Sequence, residues 1–146
     1  MKKNILVSAC LLGESCRYDG KSKPCARVIA LKNTYNLVPV CPEVMGGLPT
    51  PRVPSEICGE RVMMKDGRDV TENYNRGAQE ALRIAKENAC TVAILKEKSP
   101  SCGSGLIHNG LFDGGLVKGD GIAAQLLKQE NIRVLGESEI TEDCSL

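Results

Sequence analysis

The sequence predicts an α/β fold, a three-layer sandwich built on a mainly parallel, Rossmann-like sheet. Short apolar runs recur at 4–8, 36–40, 91–95 and 132–135. Segments of helical periodicity lie between them. Strands that alternate with helices pair in parallel and are covered by helices on both faces. The chain has 146 residues, a common size for one domain with a substantial core. No linker, repeat or low-complexity stretch divides it, so residues 1–146 read as a single domain.

Each element has its own signal. Asn4–Ser8 is a buried-strand run that stops at Ala9-Cys10, and Gly13 and Gly20 mark the loop that follows. Pro24 to Lys32 reads as a helix, with Ser22 as cap, Pro24 in its first turn, and Cys25, Val28 and Ile29 on one face. Asn36–Val40 is the second strand, with an irregular end at Pro39. Residues 42–58 form a loop with four prolines, a rigid composition that favours a functional loop. A hairpin is expected over Glu60–Val70 around Asp66-Gly67. The clearest helix runs from Glu72 to about Asn88, capped by Thr71, with Tyr74, Ala78, Ala81, Leu82 and Ala85 on one stripe. Thr91–Leu95 is the third strand. A glycine-rich stretch from Gly103 leads to a last helix at Ile122–Gln129 and a last strand at Ile132–Leu135. The polar tail from Glu139 to Leu146 reads as mobile.

Composition narrows the function. Nineteen basic and eighteen acidic residues nearly cancel, with no basic stripe of the kind that binds duplex nucleic acid. The expected partner is a small molecule. Met1–Ala9 is too short for a signal peptide, and no stretch has the length of a membrane span, which places the protein in the cytoplasm. Eight cysteines in such a chain do not read as a disulfide scaffold, because cytosolic thiols stay reduced.

Three apolar strands lead to a cysteine: the first to Cys10, the second to Cys41, the third to Cys102. Open parallel sheets bind ligands outside the carboxyl ends of their strands. Three thiols delivered to that edge can converge on one centre, and thiolates select iron–sulfur clusters, zinc or copper(I). Three ligands would leave one iron of a 4Fe–4S cluster open to act as a Lewis acid. The plainer reading is that a free cysteine is a small buried hydrophobe, and Cys25, Cys58 and Cys90 suit it. Cys144 reads as a tail residue.

Four stretches carry a family resemblance: Val-Ser-Ala-Cys-Leu-Leu-Gly…Cys-Arg-Tyr-Asp-Gly (7–20), Cys-Pro-Glu-Val-Met-Gly-Gly-Leu-Pro-Thr-Pro-Arg (41–52), Lys-Glu-Lys-Ser-Pro-Ser-Cys-Gly (96–103) and Phe-Asp-Gly…Gly-Asp-Gly-Ile-Ala-Ala (112–124). Across nearly its whole length the chain resembles the thiouracil desulfidases. The resemblance implies a 4Fe–4S cluster held by Cys10, Cys41 and Cys102, its fourth iron open to substrate sulfur. It implies catalytic roles for Glu43 and Ser99, with Ser101 as the neighbouring candidate. It also implies a free thiolated base or nucleotide, of 2-thiouracil or 4-thiouridine type, as substrate, since larger relatives that act on thiolated tRNA carry an extra domain. Hydrolytic, non-redox removal of sulfur is the expected reaction. An open iron is exposed to oxygen, so an aerobic preparation can lose the cluster.

Other residues carry weaker signals. Arg17 and Arg52 read evenly as substrate contacts or as loop anchors. Cys16 reads as a loop residue, Glu56 as structural, and the lone His108 as packed or surface. Gly119-Asp-Gly121-Ile-Ala-Ala124 mimics a dinucleotide fingerprint, but no apolar strand precedes it. Two alternatives use the same thiols: a zinc hydrolase, and a non-enzymatic cluster or metal carrier. An acid/base residue beside the ligands favours an enzyme.

Overall fold

The computed structural model describes residues 2–142 and 144–146. In chain order its elements are β1 (Asn4–Ser8), α1 (Ala26–Ala30), β2 (Asn36–Val40), α2 (Pro42–Met45), β3 (Ser55–Cys58) and β4 (Arg61–Met64). There follow α3 (Thr71–Glu87), β5 (Val92–Leu95), β6 (Leu106–His108), β7 (Leu116–Lys118), α4 (Ile122–Gln129) and β8 (Arg133–Gly136).

β1, β2, β5 and β8 form a parallel sheet in the order β2-β1-β5-β8. Alternate residues of a strand face opposite sides, and here both sides are covered. Leu6, Ala93 and Leu95 pack with Ala85 of α3 and Ala124 and Leu127 of α4. Ile5, Val7 and Ile94 pack on the other face with Val28 of α1, Leu11 and Ile140. This is the expected three-layer α/β sandwich. β2 is an edge strand, which is why it tolerates Pro39 opposite Val7. Among the described residues, no helix is long and apolar enough to cross a membrane.

Several expected elements differ in detail. The first helix is shorter than 24–32: it begins after Cys25, has no side-chain cap, and passes into a 3-10 turn at Leu31–Asn33. The hairpin expected around Asp66-Gly67 is the second turn of a meander. β4 pairs first with β3 across Gly59, and then meets Asp69 through the Asp66-Gly67 turn. Thr71 does not cap α3. Its hydroxyl donates to Asp69 and accepts from the Val62 amide, while Asp69 accepts the Thr71 N–H at 2.9 Å. The glycine-rich stretch holds an extra hairpin, β6 with β7. The tail is packed: Ile140 is buried, Leu146 lies against the same core layer, and the Leu146 amide donates to the Tyr35 hydroxyl at 3.0 Å.

Candidate active site and metal centre

In the order β2-β1-β5-β8, the connection after β1 runs to β2 on one side and that after β5 runs towards β8 on the other. That reversal opens a crevice at the carboxyl edge. β1 runs straight into a 3-10 turn at Ala9–Leu12 that carries Cys10. β2 ends at Cys41, which begins α2 with Pro42 in its first turn. β5 is followed by the turn that presents Cys102. All three thiols line one cavity of about 430 Å³, together with Glu43 and Ser99.

Close backbone packing holds α2 in place. Gly46 and Gly77 leave no room for a side chain: a Cβ at Gly77 would stand 1.8 Å from the Pro42 carbonyl oxygen, and one at Gly46 2.0 Å from that of Asn73. α2 therefore rests directly on α3, and the Cys41-Pro42-Glu43 segment is set by main-chain contact.

Ser99 organises the Cys102 turn. Its Oγ accepts the N–H groups of Ser101 at 3.1 Å and Cys102 at 3.0 Å. Both lone pairs are thereby engaged, and the hydroxyl proton remains to donate. α4 closes the turn from behind, since the amides of Ile122, Ala123 and Ala124 donate to the Pro100 and Ser101 carbonyls. The start of α4 thus has these amides satisfied internally, which removes it as an anion site. Gly121 is there because a Cβ would lie 2.5 Å from the Ser101 carbonyl. The dinucleotide-like glycines are a packing feature.

The Cys16, Cys41 and Cys102 thiols are held towards their protonated forms. Burial pushes the Cys102 thiol up to about 12, opposed by the Ser8 and Ser101 hydroxyls. Cys16 lies between Cys10 and Cys41. Its thiol is raised to about 11, chiefly by hydrogen bonding with Cys10. Cys41 is raised further, first by the Cys16 thiol and then by burial. Binding of iron must displace these protons.

The remaining sequence candidates separate cleanly. Arg52 lines the cavity, but its guanidinium is engaged by protein acceptors, with Nε 3.0 Å from Glu43 Oε1. Arg17 also lines the cavity and pairs loosely with Asp19 at 3.7 Å. Ser101 does not reach the cavity. It is fully buried, with no conventional partner for its hydroxyl, which lies by the Cys102 sulfur. Glu56 is structural: its Oε1 accepts the Gly110 and Phe112 amides and pins the β6–β7 loop at the cavity.

The donor set distinguishes between metals. Among the described residues, no three Cys, His, Asp or Glu side chains converge tightly enough to hold one ion. A single zinc needs such a point. A cubane cluster presents irons at separate corners, and thiols brought to one cavity by three separate segments suit it.

Residues 5–139 match the sequence profile of the 2-thiouracil desulfurase family. This chain belongs to that family. It is 43% identical to the Bacillus subtilis (strain 168) protein YbbK over 94% of this chain and 98% of that one. It also superposes on a solved structure of the [4Fe-4S]-dependent thiouracil desulfidase TudS with a TM-score of 0.90. That match is 46% identical and covers 95% of this chain and 93% of the other.

Three parts of this desulfurase-family site were not legible as site residues. Tyr74 read as core, yet it lines the cavity with its phenol beside Glu43 and Ser55. His108 read as packed or surface, yet it lines the cavity with a buried Nδ1 that has no partner. Gly77 interrupts a good helix, where glycine costs about 1 kcal/mol relative to alanine. That cost was the one available signal of a close approach.

Proposed function

We propose that this chain is a [4Fe–4S]-dependent desulfidase that converts a thiolated pyrimidine and water into the oxygenated base and hydrogen sulfide. Family membership and the close likeness to TudS support the activity and the cofactor. The observation that carries the site is the convergence of Cys10, Cys41 and Cys102 with Glu43 and Ser99 on one cavity. Cys10, Cys41 and Cys102 would hold the cluster. When bound, it supplies an open iron, a soft Lewis acid suited to thiocarbonyl sulfur.

The chain's own residues supply the rest. Glu43 accepts a proton from the attacking water. The new C–O bond forms at the thiocarbonyl carbon, and the C–S bond breaks with its electron pair on sulfur. Two protons end on the sulfide and none is left over, so no electron donor is needed. Ser99 donates its remaining hydroxyl proton as a hydrogen bond to the substrate, strengthened by the two amides that polarise its oxygen. Burial of the Cys102 turn keeps water from the ligand sulfur. Arg17 stands at the wall as a substrate contact.

The test is anaerobic reconstitution with iron and sulfide, followed by assay of sulfide release from 2-thiouracil and 4-thiouridine nucleotides. The expected result is roughly four irons per chain, the content of one cubane, with sulfide and the oxygenated base formed in equal amounts. Release that depends on an added reductant would overturn the hydrolytic reading. Failure to take up iron anaerobically would overturn the cluster.

A further inference from the structure

We infer that Arg52 is a positioning residue, which holds the Glu43 carboxylate at the cavity wall and ties it to the loop that carries Cys16. The inference rests on Glu43 as the proton acceptor.

The Arg52 side chain is only 3% exposed. A guanidinium buried this far needs partners for its donors. Nε donates to Glu43 Oε1 at 3.0 Å. Nη1 donates to the Pro49 carbonyl and the Thr50 hydroxyl, each at 3.1 Å. Nη2 donates to the Cys16 carbonyl at 2.9 Å. Four protein acceptors therefore take the fork of five N–H groups, which leaves too little for a substrate clamp.

The acceptors come from two separate segments. Glu43, Pro49 and Thr50 belong to the proline-rich segment after β2, and Cys16 belongs to the loop after β1. The Arg52 amide adds a second link to that loop, donating to the Tyr18 carbonyl at 2.7 Å. One residue thus joins the acid/base group to the loop lying between two of the cluster cysteines. It engages one carboxylate oxygen of Glu43, and the Tyr74 phenol stands beside the same carboxylate. Lysine would keep the charge but could not reproduce the planar fork.

The test compares Arg52→Met, Arg52→Lys, Glu43→Gln and the Arg52→Met/Glu43→Gln double variant, all reconstituted anaerobically. Iron content and visible absorption report the cluster, and apoprotein melting reports the fold. Sulfide release from 2-thiouracil is followed in long single-turnover reactions as well as at steady state. Both Arg52 variants are expected to keep their iron. Their kcat should fall by about 100-fold, the cost of a small misplacement of a reacting group, while KM changes by no more than roughly twofold. In the Glu43→Gln background, Arg52→Met should cost no more than about twofold, because nothing remains to be positioned.

A rise in KM at constant kcat would make Arg52 a substrate contact and overturn the inference. So would losses that multiply in the double variant, or loss of iron from both Arg52 variants. Full turnover in Glu43→Gln alone would instead remove Glu43 from the chemistry, an outcome separable from any behaviour of Arg52.

Discussion

Glu43 and Ser99 have different freedoms, and the proposed roles follow from them. Glu43 is held by Arg52 at one oxygen, with the Tyr74 phenol beside it, whereas the Ser99 oxygen already accepts from two amides. A group whose lone pairs are taken cannot act as a base, which supports the proposal that Glu43 accepts the proton. Glu43→Ala should therefore retain iron and lose turnover by roughly 100- to 10,000-fold, the usual worth of general acid–base catalysis. Sulfide release and iron content measured on one sample check this, and loss of iron would make Glu43 structural. Cys102 gives a second prediction. Its thiol is pushed up from 9.0 to about 12, mainly by burial. Between these values the folded apoprotein keeps a proton that the unfolded chain has released, so stability falls as pH rises through that window. Urea unfolding of the apoprotein at pH 8 and pH 10 should show the loss, and Cys102→Ser should reduce it. An equal loss in the variant would exclude Cys102 as its source.

At the scale of elements, the site depends on backbone contacts that few side chains report. α2 is a single turn and cannot hold itself. It is placed by α3, through Gly46 and Gly77. Alanine at Gly77 would favour the isolated helix by about 1 kcal/mol. The Pro42 carbonyl stands in its way at 1.8 Å, and backbone yields poorly. Gly77→Ala should therefore destabilise the apoprotein by roughly 1–3 kcal/mol, and should lower iron content by displacing Cys41. Urea denaturation and iron analysis decide it. A variant as stable as the parent and fully loaded would show that α2 can shift freely. The β6–β7 hairpin also lines the cavity, where Glu56 pins the loop carrying Phe112.

For the whole molecule, the three proposed ligands join segments that are far apart in the chain but meet at one edge of one sheet. All eight cysteines are free thiols, so no disulfide staples these segments together. A cluster that binds only the folded arrangement stabilises it by mass action. Removal of iron by an anaerobic chelator should lower the melting temperature by roughly 10 °C, taking a few kcal/mol of binding for a domain of this size. Calorimetry before and after chelation measures it. Equal melting temperatures would mean that the site adds nothing to the native state.

Much was legible from residues alone. The period of the apolar runs determined the sheet strands and the two longer helices, because burial on both faces demands near-continuous apolar residues. Family motifs pointed to Cys10, Cys41, Cys102, Glu43 and Ser99, and all five line the same cavity. The strand order, the place of Tyr74 and His108, and the packed tail depend on contacts between residues remote in sequence, which local periodicity does not encode. Arg52 shows the limit most clearly. As a sequence letter it served a substrate or a loop equally well. Only the folded chain brings Glu43, Thr50 and the Pro49 and Cys16 carbonyls around one guanidinium, and the need to satisfy a buried charge decides between the two.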